Sequence, residues 1–215
     1  MTPNKEDYLK ELYKLGGSHQ LVSNKQMSQV LMVAPASVSE MLTKLSQEGL
    51  LTNQPYKGSL LTQKGEQIAL SLLRGHRLWE VFLIRHLGYS WSEAHEDAEL
   101  LEHISPLRLT DRLDHFLNFP EYCPHGSTIP RPDGQMEERT LMSLAKLTAG
   151  ETSIIVKVQE EKEFLDYLQN QGIEIGSPVT VLSIGDYEGS FTLSHRDKTI
   201  QLSHKAACQI FVSAN

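Results

Sequence analysis

The chain has 215 residues, 40% hydrophobic and 22% charged, with a formal net charge of −7. This is the composition of an ordinary soluble globular protein, long enough for one large or two modest cores. No apolar run approaches the roughly 18 residues of a membrane span, and the polar start Met1–Lys10 carries no signal-peptide core. Its two cysteines, Cys123 and Cys208, form no CxxC pair. That excludes a disulfide scaffold and a four-cysteine zinc site, and fits a reducing, cytoplasmic setting with no membrane partner. The charge is unevenly spread. Residues 1–72 carry seven lysines and six acidic residues, whereas residues 73–140 carry seven arginines, twelve acidic residues and six of the nine histidines. Acid and imidazole concentrated in one segment suit hard divalent cations, although a solvated acidic surface has the same composition.

Residues 3–16 predict a helix, with Pro3 near its start, an apolar stripe through Tyr8, Leu9, Leu12, Tyr13 and Leu15, and a stop at Gly16-Gly17. Ser23 predicts an N-cap for a short helix from Asn24 to Leu31. A third helix is expected from Ala36 to Gly49, with Val38, Met41, Leu42 and Leu45 on one face. Two helices joined by a tight turn, the second with a polar outer face, form the helix-turn-helix pattern. Residues 50–62 then read as a β-hairpin with a polar tip, a wing. A long helix follows from Lys64 to about Leu87, then one from Glu93 to Ile104 capped by Ser92, and one opened by Pro106. The Pro- and Gly-rich stretch 118–140 reads as a linker. Beyond it lie short strands and one helix, Glu161–Gln169, which suggest a small β-barrel. The expected architecture is mainly α with a β-containing C-terminal domain, divided into 1–72, 73–140 and 141–215.

Ser37, Ser39, Glu40 and Lys44, with Pro35 and Ala36 at the helix start, are the candidates to face a DNA groove. Lys25, Gln26, Tyr56 and Lys57 would flank it on the phosphate backbone. Hydroxyls and Glu40 can contact base edges, and the lysines supply affinity through counterion release. The basic face is thin, so a dimer reading two half-sites of double-stranded DNA is implied.

Glu99, Glu102 and His103 stand at i, i+3 and i+4 of a predicted helix and project from one face. Two carboxylates and an imidazole can grip one cation, with Asp7 the candidate fourth ligand, although a solvated helix face has the same spacing. His76 and Glu80 form a second i, i+4 pair that His95 could join; Cys123 and His125 form a ligand-type pair in the linker, and Glu160 and Glu163 lie beyond it. The first set, all oxygen and imidazole, favours Mn²⁺ or Fe²⁺, while a site with Cys123 could accept Zn²⁺. An enzyme finds no support: no ExxH, GxSxG, P-loop or Rossmann glycine pattern is present.

The opening MTPNKEDYLKELYKL, the helix APASVSEMLTKLSQEGL, and the motifs GHRLWEVFL, HEDAELLEH and FPEYCPHG resemble the diphtheria toxin repressor (DtxR/MntR) family, closest to its manganese-responsive streptococcal-type branch. The last 75 residues resemble that family's FeoA-like, SH3-like domain. The resemblance implies a homodimer that binds operator DNA when metal-loaded and represses metal-uptake genes. It puts primary ligands on Asp7, Glu99, Glu102 and His103. A second site would fall on His76, Glu80, Cys123, His125 and Glu160, with His95 and Glu163 as variants. Iron-responsive members carry softer ligands, Met and Cys, where Asp7 and Glu99 stand here. Ala34-Pro35-Ala36, and Glu40 where other branches carry Gln, depart from the pattern and leave the operator sequence open. From the C-terminal part alone, a FeoA-like interaction or iron-transport accessory module without DNA binding is the alternative.

Overall fold

The computed structural model describes every residue except Pro55, Glu138, Asp197, Ala214 and Asn215. Pro55 in the expected wing tip and Glu138 in the expected linker therefore lie outside the described residues. The chain forms two compact units. One holds Met1–His76, Leu101–Leu107 and Pro130–Gln135; the other holds Arg77–Leu100, Arg108–Ile129 and Met136–Asn215.

The first unit begins with α1 (Pro3–Lys14), α2 (Asn24–Leu31) and α3 (Pro35–Gln47). Proline stands in the first turn of α1 and α3, where its missing N–H leaves no helical bond unmade. Ser23 starts α2 with a reciprocal cap: its Oγ accepts from the Gln26 amide at 3.3 Å, and Gln26 Oε1 accepts from the Ser23 amide at 3.0 Å. Met32 ends α2 in the left-handed region, at φ 52°. In α3 the buried Val38, Leu42 and Leu45 recur at helical spacing and meet Tyr8, Leu9 and Leu12 of α1 and Met27 of α2 in one core. The wing is β1 (Leu51–Gln54) paired antiparallel with β2 (Gly58–Leu61), in the register Leu51↔Leu61 to Gln54↔Gly58. An antiparallel bridge from Val22 to Ser59 ties the wing to the residue before the α2 cap. The unit also takes in the first half of α4 (Gln63–Leu87) and the end of α5 (Trp91–Ile104).

The second unit contains the rest of α4 and α5, with α6 (Leu107–Phe116) from Arg108 onward. Ser90, not the expected Ser92, caps α5: Glu93 Oε2 accepts from the Ser90 amide at 2.9 Å and Ser90 Oγ accepts from the Glu93 amide at 3.3 Å. Ser92 is already inside the helix and buried. The expected linker also needs correction. Residues after α6 hold no helix or strand before Leu141 among those described, yet Cys123, His125, Ser127 and Ile129 are buried. Cys123 and Ile129 join Leu78, Val81, Leu113 and Leu117 in a core. Proline and glycine mark irregular backbone here rather than a tether.

The C-terminal part is a six-stranded antiparallel sheet of β3 (Leu141–Ser143), β4 (Thr152–Val158), β5 (Pro178–Ile184), β6 (Phe191–His195), β7 (Lys198–Leu202) and β8 (Ile210–Ser213), in the order β3-β8-β4-β5-β6-β7. The first half of β4 pairs with β5 and its second half, past Ile154, with β8. That hand-over curls the sheet around a core of Ile155, Val158, Val179, Val181, Phe191, Leu193 and Val212, with α7 (Lys162–Gln171) adding Leu165 and Leu168. The fold is thus mainly helical with a small, SH3-like β domain. β3 and α8 (His204–Cys208) were not expected; at three and five residues they are too short for a periodic signal. Among the described residues no helix is long and apolar enough to cross a membrane.

Gly65, in the first turn of α4, has no room for a side chain: an added Cβ would stand 2.0 Å from the Leu50 carbonyl oxygen. Gly→Ala normally stabilises a helix by up to about 1 kcal/mol. Gly65→Ala is expected to do the reverse and cost about 1–3 kcal/mol through overpacking. Urea denaturation measures the sign.

Candidate metal centres and DNA-binding face

Helix α1 carries Glu6, Asp7 and Lys10 within one turn, and the last turn of α5 carries Glu102 and His103. His103 Nδ1 donates to Glu6 Oε2 at 2.7 Å. That carboxylate orients the ring, and the other nitrogen, Nε2, lies 3.1 Å from Asp7 Oδ1 and 3.6 Å from Glu102 Oε1. Glu102 is fully buried and used at both oxygens. Oε1 accepts from Lys10 Nζ at 2.5 Å, and Oε2 accepts from His76 Nδ1 at 2.8 Å. Asp7, Glu102 and His103 each offer a ligand atom within 4.8 Å of the others. Glu99 precedes Glu102 by three residues on α5, is half-buried, and has Oε1 4.0 Å from His95 Nε2. Hard oxygen donors and one oriented imidazole suit a divalent cation. The buried ammonium of Lys10 against Glu102 shows that this carboxylate already holds a positive charge. His76, expected for the second cluster, has its Nδ1 on Glu102 Oε2.

Four of the remaining expected ligands come together in the second unit. Glu80, Cys123, His125 and Glu160 each offer a ligand atom within 4.8 Å of the others. Glu80, fully buried on α4, accepts at Oε1 from His95 Nδ1 at 2.9 Å, and the same oxygen lies 3.1 Å from His125 Nδ1. Cys123 Sγ donates to Glu160 Oε1 at 3.7 Å. The turn that aims Cys123 and His125 inward needs Gly126: it sits at φ 86°, and a Cβ there would meet the Val156 carbonyl oxygen at 1.9 Å. Burial pushes the Cys123 thiol well above the usual range, and the carboxylates of Glu80 and Glu160 add to the shift. The thiol is therefore neutral until something replaces its proton. Glu163 is exposed on α7 and belongs to none of these clusters.

On α3, Pro35, Ala36, Ser37, Ser39, Glu40 and Lys44 are all exposed, as are Lys25, Gln26, Tyr56 and Lys57. Several are already engaged. Ser39 Oγ accepts from Asn24 Nδ2 at 2.8 Å, which links α2 to α3. Gln26 spends its side-chain carbonyl on the cap of α2. Glu40 and Lys44 pair across one turn at 2.7 Å, and that hydrogen bond and charge hold the Glu40 carboxyl below its ordinary range. Residue-by-residue reading of the sequence passed over Glu6, Lys10 and Asn24. A signal for the first two was present, since Glu6 and Lys10 stand at i and i+4 beside Asp7, but their partners lie some 92 to 97 residues away.

Three family models cover almost the whole chain: the iron dependent repressor N-terminal DNA binding domain over residues 1–59, the iron dependent repressor metal binding and dimerisation domain over 62–131, and the FeoA domain over 142–214. The HTH-type transcriptional regulator MntR of Lysinibacillus sphaericus is 32% identical over 123 residues, 57% of this chain and 88% of that protein. The structure of the manganese regulator SloR is 39% identical, with full coverage of both chains and a TM-score of 0.80. A manganese-dependent transcriptional repressor in complex with manganese is 32% identical over 98% of this chain and 100% of its own, with a TM-score of 0.88. The fold and these matches define a metal-dependent transcriptional repressor, not an enzyme. The chain belongs to the diphtheria toxin repressor (DtxR/MntR) family. A FeoA-like module without DNA binding is set aside, because residues 1–59 match the DNA-binding domain.

The two thiols should differ sharply in reactivity, because only a thiolate attacks. Cys208 is exposed and Cys123 is buried. A thiol reagent at neutral pH is expected to label Cys208 in the native chain and Cys123 only after unfolding. Because folding raises the Cys123 pKa, its stabilising contribution is complete below the unfolded value of about 8.5 and is lost as pH rises above it. The alkaline loss of stability should be shallower in Cys123→Ser.

Proposed function

We propose that the chain is a Mn²⁺-activated repressor that binds double-stranded operator DNA as a homodimer and controls metal-uptake genes, acting in the cytoplasm. The carrying observation is the convergence of Asp7, Glu102 and His103, with Glu6 orienting the imidazole. Glu99, one turn earlier on the same helix, is the fourth ligand in this reading. The absence of a thiolate in the set favours Mn²⁺, with Fe²⁺ the nearest competitor. A bound ion supplies two positive charges where α1 meets the last turn of α5. Asp7 belongs to a helix whose Tyr8, Leu9 and Leu12 are core to the DNA-binding fold. Holding Asp7 against Glu102 and His103 therefore selects one placement of α1, and the ligated form is the one that binds DNA.

Residues 1–72 act in this reading as the DNA-binding segment, 73–140 as the dimerisation and metal segment, and 141–215 as the FeoA-like domain. Dimerisation is supported by apolar side chains left in solvent. Leu100 and Ile104, four apart on α5, are 70% and 73% exposed, and Phe116 at the end of α6 is 61% exposed. A second copy of the chain would cover them. Glu80, Cys123, His125 and Glu160, with His95 beside them, hold a second ion; the thiolate admits Zn²⁺ there. On DNA, Lys25, Lys44, Tyr56 and Lys57 hold phosphates, while Pro35, Ala36, Ser37, Ser39 and Glu40 face the groove, with Gln26 at its edge.

Fluorescence anisotropy of the full chain on its own upstream DNA, at fixed salt, tests the reading. Operator affinity should rise about 5- to 150-fold with Mn²⁺ over chelator. Asp7→Ala and Glu99→Ala should each lose that gain and keep the fold by circular dichroism. A variant that still needs Mn²⁺ to bind would overturn its assignment as a ligand. A second outcome concerns the Glu40–Lys44 pair. Glu40→Gln removes a negative charge from the DNA face and frees Lys44. Affinity should rise at low salt, with the slope of log K against log salt steeper by about one.

A further inference from the structure

The salt bridge between Lys10 and Glu102 is unusual in its burial. The two side chains are 2% and 0% exposed, and Nζ stands 2.5 Å from Oε1. A buried ammonium or carboxylate is costly unless paired, so each partner holds the other in place. The geometry also distinguishes the two carboxylate oxygens. Oε2 accepts from His76 Nδ1 at 2.8 Å. Oε1, the atom Lys10 holds, is the one that lies 3.6 Å from His103 Nε2, the ring nitrogen that also faces Asp7. Lys10 is therefore bonded to the oxygen that faces the other proposed ligands.

We propose that Lys10 is a tethered counter-cation of the metal site, holding Glu102 Oε1 when no metal is bound and yielding that oxygen when a divalent ion arrives, so that it sets the metal concentration at which the site fills. The proposal rests on reading Asp7, Glu102 and His103 as ligands. Two positive charges a few ångströms apart in a water-poor site repel strongly, and a divalent ion doubles the effect. The ammonium is on a four-carbon stem, so it can withdraw from Oε1 without moving the α1 backbone that carries Asp7. With Lys10 present, Glu102 stays buried and correctly placed in the metal-free chain, and the affinity for metal is reduced by the charge that must be displaced. A purely structural ion pair would behave differently, since removing Lys10 would then weaken or leave unchanged the binding of metal.

The test compares Mn²⁺ binding to the full-length wild type, Lys10→Met and Lys10→Arg by isothermal titration calorimetry, with Asp7→Ala defining the relevant site. Lys10→Met keeps the length of the side chain and removes its charge. Its Mn²⁺ Kd at the Asp7-dependent site should tighten by about tenfold or more. Its metal-free melting temperature should fall, and the rise in melting temperature on adding Mn²⁺ should be larger than in wild type. Lys10→Arg, which keeps the charge, should remain within about threefold of wild type. A folded Lys10→Met that binds Mn²⁺ no tighter than wild type overturns the proposal. If wild-type Mn²⁺ binding does not depend on Asp7, the ligand reading itself is wrong and the role of Lys10 falls with it. Should Lys10→Met not fold, NMR of ¹⁵N-lysine wild type gives the answer. The Nζ signal missing from Lys10→Arg should move or vanish as diamagnetic Zn²⁺ is added to saturation; an unmoved signal overturns the proposal.

Discussion

The buried carboxylate of Glu102 is the group around which the first unit's chemistry is arranged. A carboxylate with no exposure to water survives only if its charge is answered, and here Lys10 answers one oxygen and His76 the other. Lys10 is on α1, between Leu9 and Leu12 of the DNA-binding core, and Glu102 is on the last turn of α5. The same contact therefore concerns both the position of α1 in the recognition fold and the proposed metal site. Glu6 does for His103 what Lys10 and His76 do for Glu102, fixing the atom that faces Asp7. A repressor that responds to a small ion needs such a junction, because an ion shifts an equilibrium only where its contacts differ between the two states.

The second cluster follows another logic. Glu80 accepts from His95 and lies beside His125, while Cys123 is kept a neutral thiol by burial and by the carboxylates of Glu80 and Glu160. Taking a cation there would mean losing a proton from sulfur, which would tie occupancy to pH in a way the proposed thiol-free primary set does not share. Glu160 follows β4 of the FeoA domain, and Cys123 and His125 sit on the turn shaped by Gly126. The cluster thus joins the β domain to the helical segment within one unit.

The face proposed to bind DNA carries little net charge. Lys44 is paired with Glu40, Gln26 closes a helix cap, and Ser39 receives a hydrogen bond from α2. These bonds hold the outer face of α3 in a defined shape before DNA arrives, which lowers the ordering cost of binding. They also leave few cations on that face, in keeping with the proposed dimer that would sum two weak half-sites.

Much of this was legible in the chain itself. The helix-turn-helix follows from Ser23, Pro35 and the spacing of Val38, Leu42 and Leu45, because capping and amphipathic periodicity are local properties. Glu99, Glu102 and His103 are readable as one helical face for the same reason. Other features were hidden. Residues 118–140 look like a tether because proline and glycine report only on backbone shape, while the burial of Cys123, His125 and Ile129 depends on what packs over them. β3 and α8 are too short to show a period. Lys10 reads as one of seven lysines in the first third of the chain. Sequence determined the elements and the ligand types, since those depend on neighbours within a few residues. Only the tertiary structure decided that Lys10 and Glu6 meet the proposed ligands, because their partners on α5 are brought to them by the fold and by nothing local.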